Sequence, residues 1–216
     1  NYAFTHPVTG KKLLLRVNCG SQMHLEHQIE YEAHALRLME GSGRTPKVLY
    51  VDGSKKILEH GILVMEYLPG HAMDYHTELM LAAPCLADIH SVPIPESEEI
   101  LIHPQNPLKA ILEECEEMFK VYLESPLGDG EKKTYIRELL NLGWKREAEI
   151  QLESGYQCCI NTELNSTNLL INGEGKSNYL IDWEKPLFGN PAQDLGHFLA
   201  PTTTFWKTDV ILTSEE

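Results

Sequence analysis

The chain has 216 residues, 42% of them hydrophobic and 23% charged, enough apolar content for one large domain or two small lobes. Its net charge of −14 supplies no basic stripe to neutralise nucleic-acid phosphates and favours a cationic second substrate. The longest apolar runs, around 62–69 and 79–87, are interrupted by Glu66, Pro69 and Pro84, so none is suited to crossing a bilayer.

The chain opens on a strand. Tyr2–Pro7 and Lys12–Asn18 flank a turn at Thr9-Gly10, the pattern of a β-hairpin. From Met23 to Met39 the apolar positions Leu25, Ile29, Ala33 and Leu36 recur with helical period, and Gly41-Ser42-Gly43 ends the helix. Pro46–Asp52 and Gly61–Tyr67 read as two further strands across the polar turn Gly53–Lys56. These elements predict a small antiparallel sheet with one long helix. After Gly70 the character becomes helical: Asp74–His90, then a Pro-rich link over Pro93–Pro107, then helices over Lys109–Leu123 and Gly130–Glu153. Short strands follow at Gln157–Ile160, Asn168–Ile171 and Tyr179–Ile181, and a helix at Pro191–Ala200. Both ends read as cut, which predicts an incomplete C-terminal part. Cys19, Cys85, Cys115, Cys158 and Cys159 lack zinc spacing and read as reduced thiols in a cytoplasmic protein.

Chemistry concentrates in two stretches. Asn161-Thr162-Glu163-Leu164-Asn165-Ser166-Thr167-Asn168 places an acid and, five residues later, an amide in a polar loop that runs into a buried strand. Eleven residues after Ile171, Asp182 ends another apolar strand, Tyr179-Leu180-Ile181. An acid, an amide and a second acid at one edge suit phosphoryl transfer. That reaction needs a group to orient a hydroxyl and hard oxygen ligands for Mg²⁺.

These stretches resemble the aminoglycoside phosphotransferase and choline kinase group, relatives of the protein kinases. That group carries a His-Gly-Asp-x-x-x-x-Asn loop and an Ile-Asp-Trp/Phe-Glu segment. Ile181-Asp182-Trp183-Glu184, Gly189-Asn190-Pro191 and Gln193-Asp194-Leu195-Gly196 match it, and the loop ends on Asn168. The loop departs from the pattern at three positions: Glu163 stands for the family Asp, and Asn161-Thr162 for His-Gly.

The resemblance implies an α+β, protein-kinase-like two-lobed fold. Its β-rich nucleotide-binding lobe covers residues 1–68 and its larger, mainly helical lobe residues 69–216, with a hinge near Leu68–His71. It also implies roles. Glu163 takes the place of the catalytic base, and Asn168 and Asp182 hold Mg²⁺. Asp194 ties the catalytic loop to the following helix, and Leu86-Ala87-Asp88-Ile89-His90 packs and caps a helix. Arg16, the single basic residue in Leu13–Val17, reaches the phosphates of ATP and pairs with Glu32, with Glu30 as the second candidate. The carbonyl of Glu66 and the N–H of Leu68 face the base, with Met65 behind it. The implied partners are ATP, or GTP, and a small hydroxyl-bearing substrate; the implied activity is that of a small-molecule kinase. A nucleotide-binding pseudokinase is the alternative, supported by the altered His-Gly-Asp.

Overall fold

The computed structural model describes residues 1–20, 23–150 and 155–213. The chain forms two compact units, Asn1–Ile102 with Tyr156–Glu216, and His103–Gly155.

The first unit begins with strands β1 (Tyr2–Thr5) and β2 (Lys12–Asn18), joined by the predicted turn, in which Gly10 has φ +68°. Helix α1 follows at Gln28–Met39, then β3 (Val48–Asp52) and β4 (Gly61–Glu66). The four strands form one antiparallel sheet in the order β1-β2-β4-β3. Helix α1 starts five residues later than the sequence predicts. His24 sits at φ +55° and interrupts the helical backbone, and no side chain caps the new start. The predicted stop holds: a 3₁₀ turn over Glu40–Ser42 leads to Gly43 at φ +67°. Ile29, Ala33, Leu36 and Met39 pack into the core with Leu63 of the sheet.

Beyond the sheet come β5 (His71–Ala72) and α2 (Leu79–His90). The predicted first turn of α2, from Asp74, is instead a tight turn. There Asp74 Oδ1 accepts the N–H groups of His76 and Thr77, each at 2.9 Å. Strand β6 (Cys158–Ile160), a 3₁₀ turn at Ser166–Asn168, β7 (Leu169–Ile171), β8 (Tyr179–Leu180) and β9 (Leu187–Gly189) follow. They form a three-stranded sheet β5-β7-β8 and a two-stranded pair β6-β9. Helices α5 (Pro191–Leu199) and α6 (Pro201–Thr208) complete this unit, α5 being capped by Asn190 with Pro191 at its first position. One hydrophobic cluster runs through the unit, from Leu36 and Leu63 to Leu169, Leu180, Trp183 and Phe198.

The second unit holds α3 (Pro107–Glu124) and α4 (Gly130–Glu149), capped by Asn106 and Asp129 respectively. Phe119 and Leu140 are its buried apolar residues, and Arg137 grips both oxygens of Glu116 at 2.8 Å. The helix predicted to reach Glu153 ends at Glu149; residues 151–153 lie outside the described residues.

The five cysteines are free thiols, with Cys85, Cys158 and Cys159 buried. Burial raises the Cys85 and Cys158 thiols to about 12, so both are inert at neutral pH. Among the described residues, no helix is long and apolar enough to cross a membrane.

Candidate functional site

A strand alternates its side chains between two faces, so Leu14 and Arg16 of β2 project to the same side. Met65 of β4 stands opposite Leu14 in register, and these three side chains line one wall of a hollow of about 260 Å³. Glu32 and Leu36 of α1, together with Glu66, Tyr67, Leu68 and Gly70, line it further. The opposite wall is Asn168, Leu170, Ile181, Asp182 and Trp183. Seven of the eight sequence-predicted site residues therefore border a single cavity. The eighth, Glu163, is not among its lining residues.

The hinge glycine is required by geometry. Gly70 has φ +133°, and a Cβ there would lie 2.9 Å from Leu170 Cβ and 3.1 Å from the Leu170 carbonyl carbon. The turn between the strands also anchors the hinge: Asn172 Nδ2 donates to the carbonyls of Pro69 at 3.1 Å and Ser177 at 2.8 Å.

Arg16 is held by three carboxylates. Its Nε lies 2.9 Å from Glu32 Oε2, its Nη1 donates to Asp182 Oδ1 at 3.1 Å, and its Nη2 meets Glu184 Oε1. The Glu32 contact is close enough for an ion pair, yet it is not aligned as a hydrogen bond. Arg16 thus pairs with Glu32, as the sequence suggests, while Glu30 packs elsewhere, against Gly53. Burial pushes the Glu32 carboxyl from 4.5 to about 7; Arg16 pulls it down and Asp182 pushes it further up. One guanidinium thus faces three carboxyl groups, of which Glu32 is pushed toward its neutral form.

Asp182 owes its position to the backbone. Ile181 N donates to the Asn168 carbonyl at 2.9 Å, and Asp182 then turns at φ +64°, a conformation that Asp tolerates better than most residues. Its carboxylate side chain keeps 38% of its surface exposed, so it is accessible as well as paired. Asn168 Nδ2 donates to the Glu163 carbonyl at 3.0 Å, which fixes the amide and turns Oδ1 into the oxygen available to a ligand. Asn168 Oδ1 and the Asp182 carboxylate in one hollow are a donor set that fits Mg²⁺, an ion usually held by one or two protein oxygens plus phosphate. Among the described residues, no cluster of three or more His, Cys, Asp or Glu could hold a metal alone.

The 161–168 loop is tied from behind. Asp194, fully buried on α5, accepts the N–H of Asn161 at 3.0 Å and of Thr162 at 2.7 Å. His90 closes on the same carboxylate at 2.9 Å, so the end of α2 supports the loop through Asp194. Asn161 reaches across to the carbonyl of Asp182 at 2.8 Å, which couples the two motifs directly. Thr162 sits at φ +66°, strained for a β-branched residue, and is held there by Asp194 and by its own hydroxyl on the Lys185 carbonyl at 2.7 Å. The group resembled by the sequence has glycine at this position, the residue that adopts such a φ without cost. The Glu163 carboxylate lies 3.6 Å from Lys185 Nζ, each side chain 26% exposed.

Glu184, Lys185 and His90 were not singled out from the sequence as partners of the site. Their contacts join segments about 20 to 170 positions apart, and nothing local signals them.

The small antiparallel sheet with its helix, the hinge and the two coupled motifs together define a kinase-like α+β protein of the small-molecule phosphotransferase class. The chain belongs to the phosphotransferase enzyme family, whose model matches residues 1–212. Among solved structures, it is similar to an ethanolamine kinase from Plasmodium vivax, with TM-score 0.70 and 16% identity, over 99% of this chain and 61% of that one. It is similar to a spectinomycin phosphotransferase in complex with ADP and spectinomycin, with TM-score 0.58 and 17% identity, over 89% and 62%. A choline kinase from Cryptosporidium parvum matches with TM-score 0.62 and 14% identity, over 87% and 55%. At these identities the likeness establishes the fold alone, and the chain spans 55–62% of the length of these three structures. No curated protein matches the sequence.

Proposed function

We propose that this chain is the nucleotide-binding and phosphoryl-transferring part of a small-molecule kinase, working between a lobe of residues 1–68 and a lobe of residues 69–216. The observation that carries the reading is the single hollow bordered by Arg16, Glu32, Met65, Glu66, Leu68, Asn168 and Asp182. The adenine of ATP, or the guanine of GTP, lies against Leu14, Met65 and Leu170, and main-chain groups of Glu66 and Leu68 recognise its edge. Arg16 forks across phosphate oxygens, which suits a permanently charged planar guanidinium. Asn168 and Asp182 would hold Mg²⁺, which would supply charge neutralisation at the transferring group. Glu163 accepts the proton of the acceptor hydroxyl. The acceptor oxygen bonds to the γ-phosphorus as the bond from that phosphorus to the bridging oxygen breaks, and ADP leaves. Most of the acceleration comes from positioning and charge neutralisation. The ADP bound by the spectinomycin phosphotransferase supports the choice of nucleotide. The excess of carboxylates, −14 over the chain, favours an amine-bearing acceptor.

A panel of aminoglycosides, choline, ethanolamine, homoserine, sugars and macrolides, assayed for phosphate transfer from ATP, tests this reading. Transfer to one class, abolished by Asp182→Ala, is the expected result. Transfer that survives Asp182→Ala overturns the assignment.

One observation favours a second reading, a nucleotide-binding module without transfer. Glu163 pairs with Lys185 and does not border the hollow, and the loop before it departs from His-Gly-Asp. A large rise in unfolding temperature with ATP and Mg²⁺, with no transfer across the panel, decides for that reading.

A further inference from the structure

Helix α1 presents Gln28, Tyr31 and His34 at three-residue spacing, so they lie along one face, and each is hydrogen-bonded to a segment outside the sheet. Gln28 Nε2 donates to the Glu184 carbonyl at 2.6 Å. The Tyr31 hydroxyl donates to the Pro186 carbonyl at 2.6 Å and accepts the N–H of Ile102 at 3.1 Å. His34 Nε2 meets Glu98 Oε2 at 2.8 Å, while Glu98 Oε1 accepts the N–H groups of Ile100 and Leu101 at 2.7 and 2.9 Å. Finally, Phe188 N donates to the Ile102 carbonyl at 2.9 Å.

The connections close a ring: α1 to the 184–186 segment, Phe188 two residues beyond that segment to the 98–102 link, and the link back to α1. Tyr31 touches both other members. A neutral phenol has one proton to give and lone pairs to accept with, and burial, which raises its pKa to about 12, keeps it neutral. Both partners are main-chain groups, so the bonds set backbone positions rather than floppy side chains. The consequence follows from what each member carries. Tyr31 is next to Glu32, which pairs with Arg16, and the 184–186 segment begins two residues after Asp182 and includes Glu184. The ring therefore fixes the distance between the two sides of the carboxylate cage around Arg16.

We infer that Tyr31 is a positioning residue for magnesium-nucleotide binding: its hydroxyl locks α1 to Pro186, in the segment that follows Asp182 and Glu184, so that Glu32, Arg16 and Asp182 stay assembled before any ligand arrives. The inference rests on the hollow being a nucleotide site, and it goes beyond that reading because Tyr31 does not border the hollow.

Tyr122 provides a control in the other unit: its hydroxyl accepts the N–H of Asp129 at 3.1 Å, between α3 and α4. Tyr31→Phe and Tyr122→Phe each remove a hydroxyl that is hydrogen-bonded to the main chain, so both lower the unfolding temperature of the free protein, Tyr31→Phe more because its hydroxyl both donates and accepts. The test is the additional rise in that temperature produced by Mg²⁺ with ADP near the parent's Kd, which reports affinity by linkage. Tyr122→Phe keeps the parent's rise. Tyr31→Phe loses most of it, corresponding to a Kd weakened by about 10-fold or more. Should Tyr31→Phe fail to fold, Gln28→Leu, which removes the other bond from α1 to the 184–186 segment, carries the same comparison. An equal rise in the Tyr31 and Tyr122 variants overturns the positioning role alone. A parent that shows no rise with ADP and Mg²⁺ overturns the nucleotide reading, and this inference with it.

Discussion

Two ion-pair regions of the same unit are built from like chemistry and differ in burial. Around Arg16, three carboxylates converge on a guanidinium whose side chain is 10% exposed, and Glu32 is 1% exposed. At Glu163 and Lys185, one carboxylate faces one ammonium at 3.6 Å, with both side chains 26% exposed. Water barely reaches Arg16 and Glu32, while Asp182 and Glu184, 38% and 21% exposed, open the cluster to solvent on one side; the Arg16–Glu32 pair is thus the fixed element and the Glu163–Lys185 pair a screened one. On the proposed reading, the nucleotide side of the site is thus organised in advance, and the acceptor side is left to be completed when a hydroxyl-bearing substrate arrives.

The largest expected effect comes from breaking the buried cage. Arg16→Met strands the buried Glu32 carboxylate, while Asp182 and Glu184 keep access to water, and lowers unfolding free energy in urea by about 3–5 kcal/mol, the usual cost of orphaning one buried charge. A loss below about 1 kcal/mol makes the cage no tighter than a surface pair. The pH dependence of stability sharpens the same point. Glu32 titrates at about 7 when folded against 4.5 ordinarily, so the folded state holds the extra proton between those values. The stability gained this way is fully present below about 4.5 and is lost as pH rises through about 7. Glu32→Gln flattens that decline in urea titrations taken from pH 4 to 8; an unchanged slope assigns the decline to other groups.

Around Thr162 and Lys185 the effects shrink. At Thr162, Gly and Ala both lose the hydroxyl bond to Lys185, and only Gly relieves the positive φ. Thr162→Gly is therefore more stable than Thr162→Ala by about 1 kcal/mol. The reverse order in thermal unfolding contradicts the strain. Smallest of all, Lys185→Met changes stability by only about 0.2–1 kcal/mol, as exposed pairs do. A change comparable to that of Arg16→Met removes the contrast between the regions.

The contrast also explains what the sequence makes legible. Asn161–Asn168 and Ile181–Glu184 are local patterns, where residue type and spacing along one strand edge carry the chemistry, and Leu13–Val17 displays its lone arginine in an apolar run. The partners of Arg16 are less accessible, since Glu184 reaches it from 168 positions away through the approach of two elements. The ring through Tyr31 is invisible for the same reason: its acceptors are main-chain carbonyls, which have no residue signature. Among elements, β9 escaped prediction because it follows Pro186 and ends on Gly189, both turn signals, and α6 because Thr202, Thr203 and Thr204 are poor helix formers directly after a proline. The start of α1 moved because His24 adopts a left-handed backbone that periodicity does not anticipate.

The central claim is that Arg16, Asn168 and Asp182 form a site for a nucleotide together with a divalent cation. Calorimetric titration of ADP, with Mg²⁺ and with EDTA, on the parent and on Asp182→Asn tests it most directly. The account predicts that Mg²⁺ tightens binding by about 10-fold or more in the parent and hardly at all in the variant. Equal affinity with and without Mg²⁺ in the parent, or an undiminished Mg²⁺ effect in Asp182→Asn, contradicts it.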